Sequence, residues 1–297
     1  MKKSSSDIIF DSVNTFLMLL VIIVMVYPLY FVVIAAVSEP YEVATGSVML
    51  WPKGLTMEAY ANVFKNEEIW TGYYNTIIYT AVGTLYNLLT LIPAAYVMSK
   101  IYLPGRKVLT WFFFITMYFG GGMIPTYLLM KSLGLIDSRW IMILGGVSCY
   151  NLIVVRQYFQ STISDSLYEA AHIDGASEFQ SFFRIALPLA KPIIAVMALF
   201  HAVGHWNSYY NALLYIRNRD LYPLQLVLRD ILILSKTMLA SIEVDEEGML
   251  EWAARQAYLA EAMKYATIFI ASAPMLIAYP FVQKYFVKGV MIGSIKG

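Results

Sequence analysis

Six stretches of this 297-residue chain contain no Asp, Glu, Lys or Arg: residues 12–38, 69–99, 108–130, 140–155, 192–216 and 265–283. They run for 27, 31, 23, 16, 25 and 19 residues, and a helix needs about 20 apolar residues to cross a bilayer. An ionised side chain at the bilayer centre costs about 2.5–3.5 kcal/mol on insertion scales, so the gaps between charges mark the spans directly. The pattern predicts an all-α integral membrane protein with six transmembrane helices, over about 12–38, 72–99, 108–130, 139–159, 188–216 and 265–284. Only the fourth gap is short, and Arg139 and Arg156 can snorkel outward from its two ends.

The connections give an orientation. With the N-terminus in the cytoplasm, eleven Lys and Arg fall on the inner side, among them Lys2, Lys3, Lys100, Arg106, Lys107 and Arg184, against four outside, Lys53, Lys65, Lys131 and Arg139. That bias places both termini in the cytoplasm. It also puts a long segment, 217–264, outside and a charged loop, 161–187, inside. Within the outer segment, 221–242 is apolar enough to suggest a seventh crossing, but Arg229, Asp230 and Lys236 fall inside it, so it reads as an amphipathic, external or interfacial helix pair. The acidic run Glu243, Asp245, Glu246, Glu247 and Glu251 reads as a solvated face.

Pro93, Pro125 and the glycines at 120–122 interrupt otherwise apolar spans. Freed backbone at membrane depth is tolerated only where protein or a water-filled cavity covers it. The second and third spans are therefore candidates for lining a path, with a simple packing kink as the alternative. No internal repeat and no linker divides the chain, so residues 1–297 read as one membrane domain. The opening Met-Lys-Lys imitates a secretory signal, but the charge-free run behind it is longer than a cleaved signal's apolar region. It reads as a retained first span.

Composition agrees with the bilayer. The chain is 59% apolar and 14% charged with a mean hydropathy of +0.62, against roughly a quarter charged in soluble domains. A net charge of +1 excludes the basic stripe of a nucleic-acid binder. The single cysteine, Cys149, reads as a small packing residue. The chain has no G-x4-G-K-[ST] loop, no H-E-x-x-H and no cluster of metal-ligand cysteines or histidines, so no cofactor or metal site is expected in it.

The inner loop carries the most specific pattern: Glu169-Ala170-Ala171, three residues, Gly175, nine residues, Ile185, one residue, Leu187-Pro188. Ser164 can cap a first helix and Asp165 favours its positive dipole end. Gly175 suits a left-handed turn, and Ser177 with Glu178 and Gln180 can open a second helix. Pro188 and Pro192 then break or kink the chain as it enters the next span.

Every position of EAA-x3-G-x9-I-x-LP is filled, and the loop resembles the EAA loop of permease subunits of ATP-binding-cassette importers, the type I permease fold. Asp174-Gly175-Ala176 and the run 187–192 look like the maltose-type, sugar-importing version; the runs 121–127 and 221–226 look like a subgroup handling complex oligosaccharides. The resemblance implies a multi-pass subunit of a prokaryotic inner or plasma membrane. It would work with a second homologous permease, two ATPase subunits that use ATP and Mg, and an extracellular solute-binding protein delivering a carbohydrate, an oligosaccharide in that subgroup. Glu169, Ala170, Ala171, Asp174, Gly175, Ile185, Leu187 and Pro188 would couple to the ATPases, and Gly293, Ser294 and Lys296 in the tail would reach between them. Trp206, Asn207, Tyr210 and Asn211 resemble a sugar-path element. An interfacial aromatic belt is the alternative for that patch.

A non-sugar solute is the nearest rival function. A secondary transporter would need ionisable residues at mid-depth, and an enzyme a convergent catalytic set; the spans hold neither. His172, His201 and His205 read as packing residues.

Overall fold

In the computed structural model of the chain, residues 4–145, 148–240 and 247–294 are described. They are α-helical in order: α1 Ser5–Ala36, α2 Pro40–Ala44, α3 Glu58–Lys65, α4 Glu67–Ser99, α5 Arg106–Tyr118, α6 Met123–Ser132, α7 Trp140–Ile143, α8 Cys149–Thr162, α9 Asp165–Ile173, α10 Glu178–Ser181, α11 Leu187–Leu189, α12 Lys191–Trp206, α13 Tyr210–Tyr215, α14 Leu224–Ala240 and α15 Glu247–Ser294. A π-helical turn, Phe182–Ala186, joins α10 to α11. Among the described residues two helices, Ser6–Ala36 and Glu67–Ser99, are long and apolar enough to cross a membrane, and two bent pairs add a candidate span each.

The chain divides into two compact units. One comprises Met1–Trp70 with Val227–Ala273. Its α1 is apolar all round and exposed along most of its length, which suits a lipid or helix-bundle setting and not water. The C-terminal end of α1, Ile34 and Ala35, packs with Val43, Val48, Phe31 and Tyr265. Tyr27 and Tyr30 donate to the carbonyls of Met49 and Leu50 at 3.1 and 2.5 Å, tying the following loop to the helix.

The other unit comprises Thr71–Leu226 with Pro274–Gly297. It has a core at each end of α4. Leu91, Ile92, Ala95 and Tyr96 of α4 meet Leu152, Val155 and Phe159 of α8 and Met197 of α12 in one. Tyr79 meets Ile141–Ile143 of α7, Ala212, Tyr215 and Leu226 in the other. Between them the Asn87 amide lies 2.9 Å from His205 Nε2. Gly83 makes that approach possible, since a Cβ there would come within 2.5 Å of the imidazole.

Several expected spans take a different form. Residues 108–130 are not one helix: α5 and α6 meet at 115°, because three consecutive glycines lose much backbone entropy in a helix and bring no side chain to pack. Pro125 falls in the first turn of α6, where its missing N–H costs nothing, and Pro93 lies inside α4 without ending it. The expected 188–216 span begins after a 76° bend at Ala190, between Glu178–Leu189 and Lys191–Trp206. Residues 247–264, read as part of the outer connection, belong to α15, which runs on through the expected last span. A single helix, α14, covers most of 221–242, and residues 243, 245 and 246 of the acidic run lie outside the described residues.

Candidate coupling site

The loop after α8 folds into a compact knob of two helical segments. Ser164 takes the extended backbone of an N-cap, but its hydroxyl makes no cap bond and pairs with Ser166 at 2.8 Å. The first helix ends where Gly175 turns left-handed, with φ +80°. Ala176 N–H reaches back to Ala171 O at 2.8 Å and Gly175 N–H to His172 O at 3.0 Å, which satisfies the last carbonyls of α9 in a glycine-closed C-cap. A Cβ on Gly175 would meet no described atom within 4 Å, so the requirement there is conformational and not steric. Ser177 and Gln180 then form a reciprocal capping box, with Ser177 N–H to Gln180 Oε1 at 2.9 Å and Gln180 N–H to Ser177 Oγ at 3.3 Å.

Helical periodicity sorts the motif residues onto two faces. Tyr168 and Ala171, three apart, turn inward at 7% and 8% exposure. Glu169, Ala170, Asp174 and Gly175 are exposed. The two alanines therefore do not share a role: Ala170 is presented outward and Ala171 packs against its own chain. Ile185, in the π-helical turn, and Leu187 are half-buried, while Pro188 is exposed. Ile173, Phe179 and Phe183 stand out on the same knob at 87, 78 and 56% exposure. The motif did not single them out; three large apolar side chains held in solvent mark a surface built to be covered.

Behind the knob lies a polar group that reading by motif also missed. Lys100, just past the end of α4, is 7% exposed, and its ammonium sits 2.9 Å from the Tyr168 ring centroid and 4.4 Å from that of Tyr96. Burial pushes Lys100 down to about 8, against the pull of Glu178 and Asp165. Burial, with the same two carboxylates, pushes the Tyr168 phenol up to about 12. Glu178 accepts from Tyr102 at 2.6 Å and from Tyr96 at 3.5 Å, and lies 3.2 Å from His172 Nε2. A cleft of about 380 Å³ opens here, lined by Lys100, Tyr102, Asp165, Tyr168, Glu169 and His172. In sequence, Lys100 counted only toward topology. The available signal was the clustering of Tyr96, Lys100 and Tyr102 at the very end of a span.

The expected sugar-path residues lie elsewhere in the same unit. Trp206 is 6% exposed, with its ring 6.2 Å from Tyr73, so it packs in this conformation. Asn207, Tyr210 and Asn211 are exposed, and Tyr210 OH lies 3.3 Å from Met123 Sδ at the start of α6. The fold thus brings the glycine break and the aromatic-amide patch together. Gly293 and Ser294 close α15, and Lys296 lies outside the described residues.

Comparison with known proteins places these features in context. Residues 69–292 match the family described as binding-protein-dependent transport system inner membrane component. Protein LplC of Bacillus subtilis (strain 168) is 38% identical over 298 residues, covering 100% of this chain and 98% of that one. The polygalacturonan/rhamnogalacturonan transport system permease protein YtcP of the same organism is 36% identical over 290 residues, covering 97% and 99%. A crystal structure of a bacterial ABC transporter involved in the import of the acidic polysaccharide alginate contains a chain that superposes with a TM-score of 0.84 at 35% identity, covering 96% of this chain and 99% of that one.

Proposed function

The chain belongs to the binding-protein-dependent transport system inner membrane component family, and from that premise we propose that it is a permease subunit of an ATP-driven importer carrying an oligosaccharide. Relatives named for polygalacturonan and alginate transport support the carbohydrate class. The chain crosses the cell membrane of a prokaryote six times with both termini in the cytoplasm. It pairs with a second, homologous permease and receives its substrate from an extracellular binding protein. ATP and Mg act in two separate ATPase subunits.

The observation that carries this reading is the knob. Its outer face presents Glu169, a slim Ala170 and the apolar Ile173 and Phe179, a combination that fits a cleft in a partner: one charge for register, small residues for close approach and apolar area for affinity. Asp174 and Gly175 shape its turn, Ala171 roots it, and Ile185, Leu187 and Pro188 lead from it into α12. Closure of the ATPases on ATP pushes the knob, and the bundle exchanges inward-facing for outward-facing states. Gly293, Ser294 and Lys296 add a tail contact, and Asn207, Tyr210 and Asn211, with Trp206 packed behind, border the sugar path.

Affinity purification of the tagged chain from its own membranes, with identification of what accompanies it, tests the reading. A second permease and an ATPase pair are expected. Uptake, or ATP hydrolysis, by the isolated polypeptide would overturn it.

A further inference from the structure

The group behind the knob poses a physical problem that docking does not solve. Lys100 Nζ is buried and has no hydrogen-bond partner among the described residues, and neither has Tyr168 OH. An unpartnered buried ammonium is costly, and apolar contacts among Tyr96, Tyr168 and Phe182 already hold this core together. What apolar contacts lack is direction: they permit one helix to slide over another.

The Lys100 contacts do have direction. Its ammonium lies between one ring from α4 and one from α9, the arrangement in which a desolvated cation gains most from aromatic faces. Glu178 does the same for the other half of the knob, joining Tyr102 beyond α4 and His172 of α9 to α10. Both helical segments of the knob are thereby pinned in register to the end of α4. That helix continues to Asn87 and Gly83, where it meets His205 of α12.

We propose that Lys100 and Glu178 form a strut through which movement of the knob is delivered to α4, so that they are positioning residues for coupling and not for docking. The inference rests on the importer reading above. Tyr168 serves in the strut through its ring, since its hydroxyl bonds to no described group.

The test uses the full complex in proteoliposomes with its binding protein, reading oligosaccharide uptake and ATP hydrolysis in the same vesicles. Lys100→Met and Tyr168→Leu should keep the ATPase subunits bound and lower uptake per ATP by about tenfold or more, the scale of a desolvated cation–π contact. Lys100→Arg and Tyr168→Phe, which keep the cation and the ring, should stay within about twofold of the parent ratio. Glu178→Gln keeps the volume and removes the charge, and should also lower the ratio. The strut is refuted if Lys100→Met and Tyr168→Leu leave the ratio unchanged, or if they release the ATPases. If Lys100→Met does not assemble, the contrast between Tyr168→Leu and Tyr168→Phe decides, and equal coupling in those two refutes it. A parent complex that consumes ATP without moving any oligosaccharide would sink the importer reading and leave the strut geometry untouched.

Discussion

At the Lys100 end of α4 the knob is joined by side chains to side chains, although Arg156 Nε and Gln160 Nε2 of α8 donate to the carbonyls of Met98 and Ser99 at 3.1 and 3.0 Å; at the other end, about 36 Å away for 24 residues of helix, side chains bind backbone throughout. There, Asn75 Nδ2 donates to the carbonyls of Asp220 and Tyr222 at 2.7 and 3.1 Å. Thr76 Oγ1 accepts from Leu224 N–H at 2.8 Å, and Tyr79 OH donates to Leu221 O at 2.9 Å. Asp137, itself left-handed at φ 56°, accepts from the N–H groups of Arg217 and Asn218 at 2.9 and 2.8 Å. Bonds of this kind fix the path of the chain whatever side chains the loop carries. The knob itself is held to α4 instead by a cation on rings and by a carboxylate shared among Tyr96, Tyr102 and His172, contacts that small displacements alter. The contrast separates a fixed end from one suited to receive movement, and each end fails in its own way when altered.

The largest effect is expected from Ala171→Asp. It places a carboxylate at a site 8% exposed, with a desolvation cost of several kcal/mol, and should abolish uptake while capture of ligand by the binding protein stays intact. Unchanged uptake with full ATPase co-purification would show that the knob does not need its inner face. Gly175→Val comes next: a left-handed backbone costs an L-residue about 1–2 kcal/mol, more when β-branched, so uptake should fall about tenfold. Gly175→Asn, which tolerates that region and meets no described neighbour, should retain most of it. Equal loss in both would mean that the side chain itself offends.

At the fixed end, Asn75→Ala leaves two carbonyls without their donor and should cost about 1–3 kcal/mol in thermal unfolding of the purified protein, with uptake per ATP unaltered in the molecules that remain folded. A changed ratio would erase the distinction between the ends. Asp137→Ala should act in the same direction and Asp137→Asn less, because Asn keeps both the acceptor and the left-handed preference. Two backbone N–H donors hold the Asp137 carboxyl below its usual value. Its contribution is therefore present above the unfolded carboxylate pKa and is lost as pH falls through the lower, folded one.

On stability Lys100 acts only in an alkaline window, and there a cost is relieved where Asp137 loses a contribution. Its folded value of about 8 lies below the ordinary 10.5, so between those limits the unfolded chain binds more protons and stability rises with pH. Lys100→Met should remove that rise in a series of unfolding midpoints from pH 8 to 10.5. A slope identical in both proteins would place the titrating group elsewhere.

Which parts of this were legible in the sequence follows from the range over which each feature is decided. The helical class, α1 and the course of α4 as apolar runs, the left-handed Gly175 and the Ser177–Gln180 capping box are all set by residues within about one helical turn of one another, and the charge pattern or the motif displays them. The motif residues all fall on the knob and its exit, but the split of Ala170 from Ala171 depends on what lies behind α9. The glycines at 120–122 marked an interruption of 108–130 without its 115° angle, and periodicity did not reveal that α15 starts at 247 or that Trp206 turns inward against Tyr73. The polar group around Lys100 joins residues 96, 100 and 102 to 165–178, and the fixed end joins 75–79 to 220–224. Separations of some 80 and 145 residues leave no local periodicity to read, because the energy of such contacts appears only when the packing of α8, α9 and α12 has removed the intervening water. The sequence alone determined the helical class and the glycine-closed turn of the knob; only the tertiary structure decided where the long helices begin and bend and which polar side chains they press together.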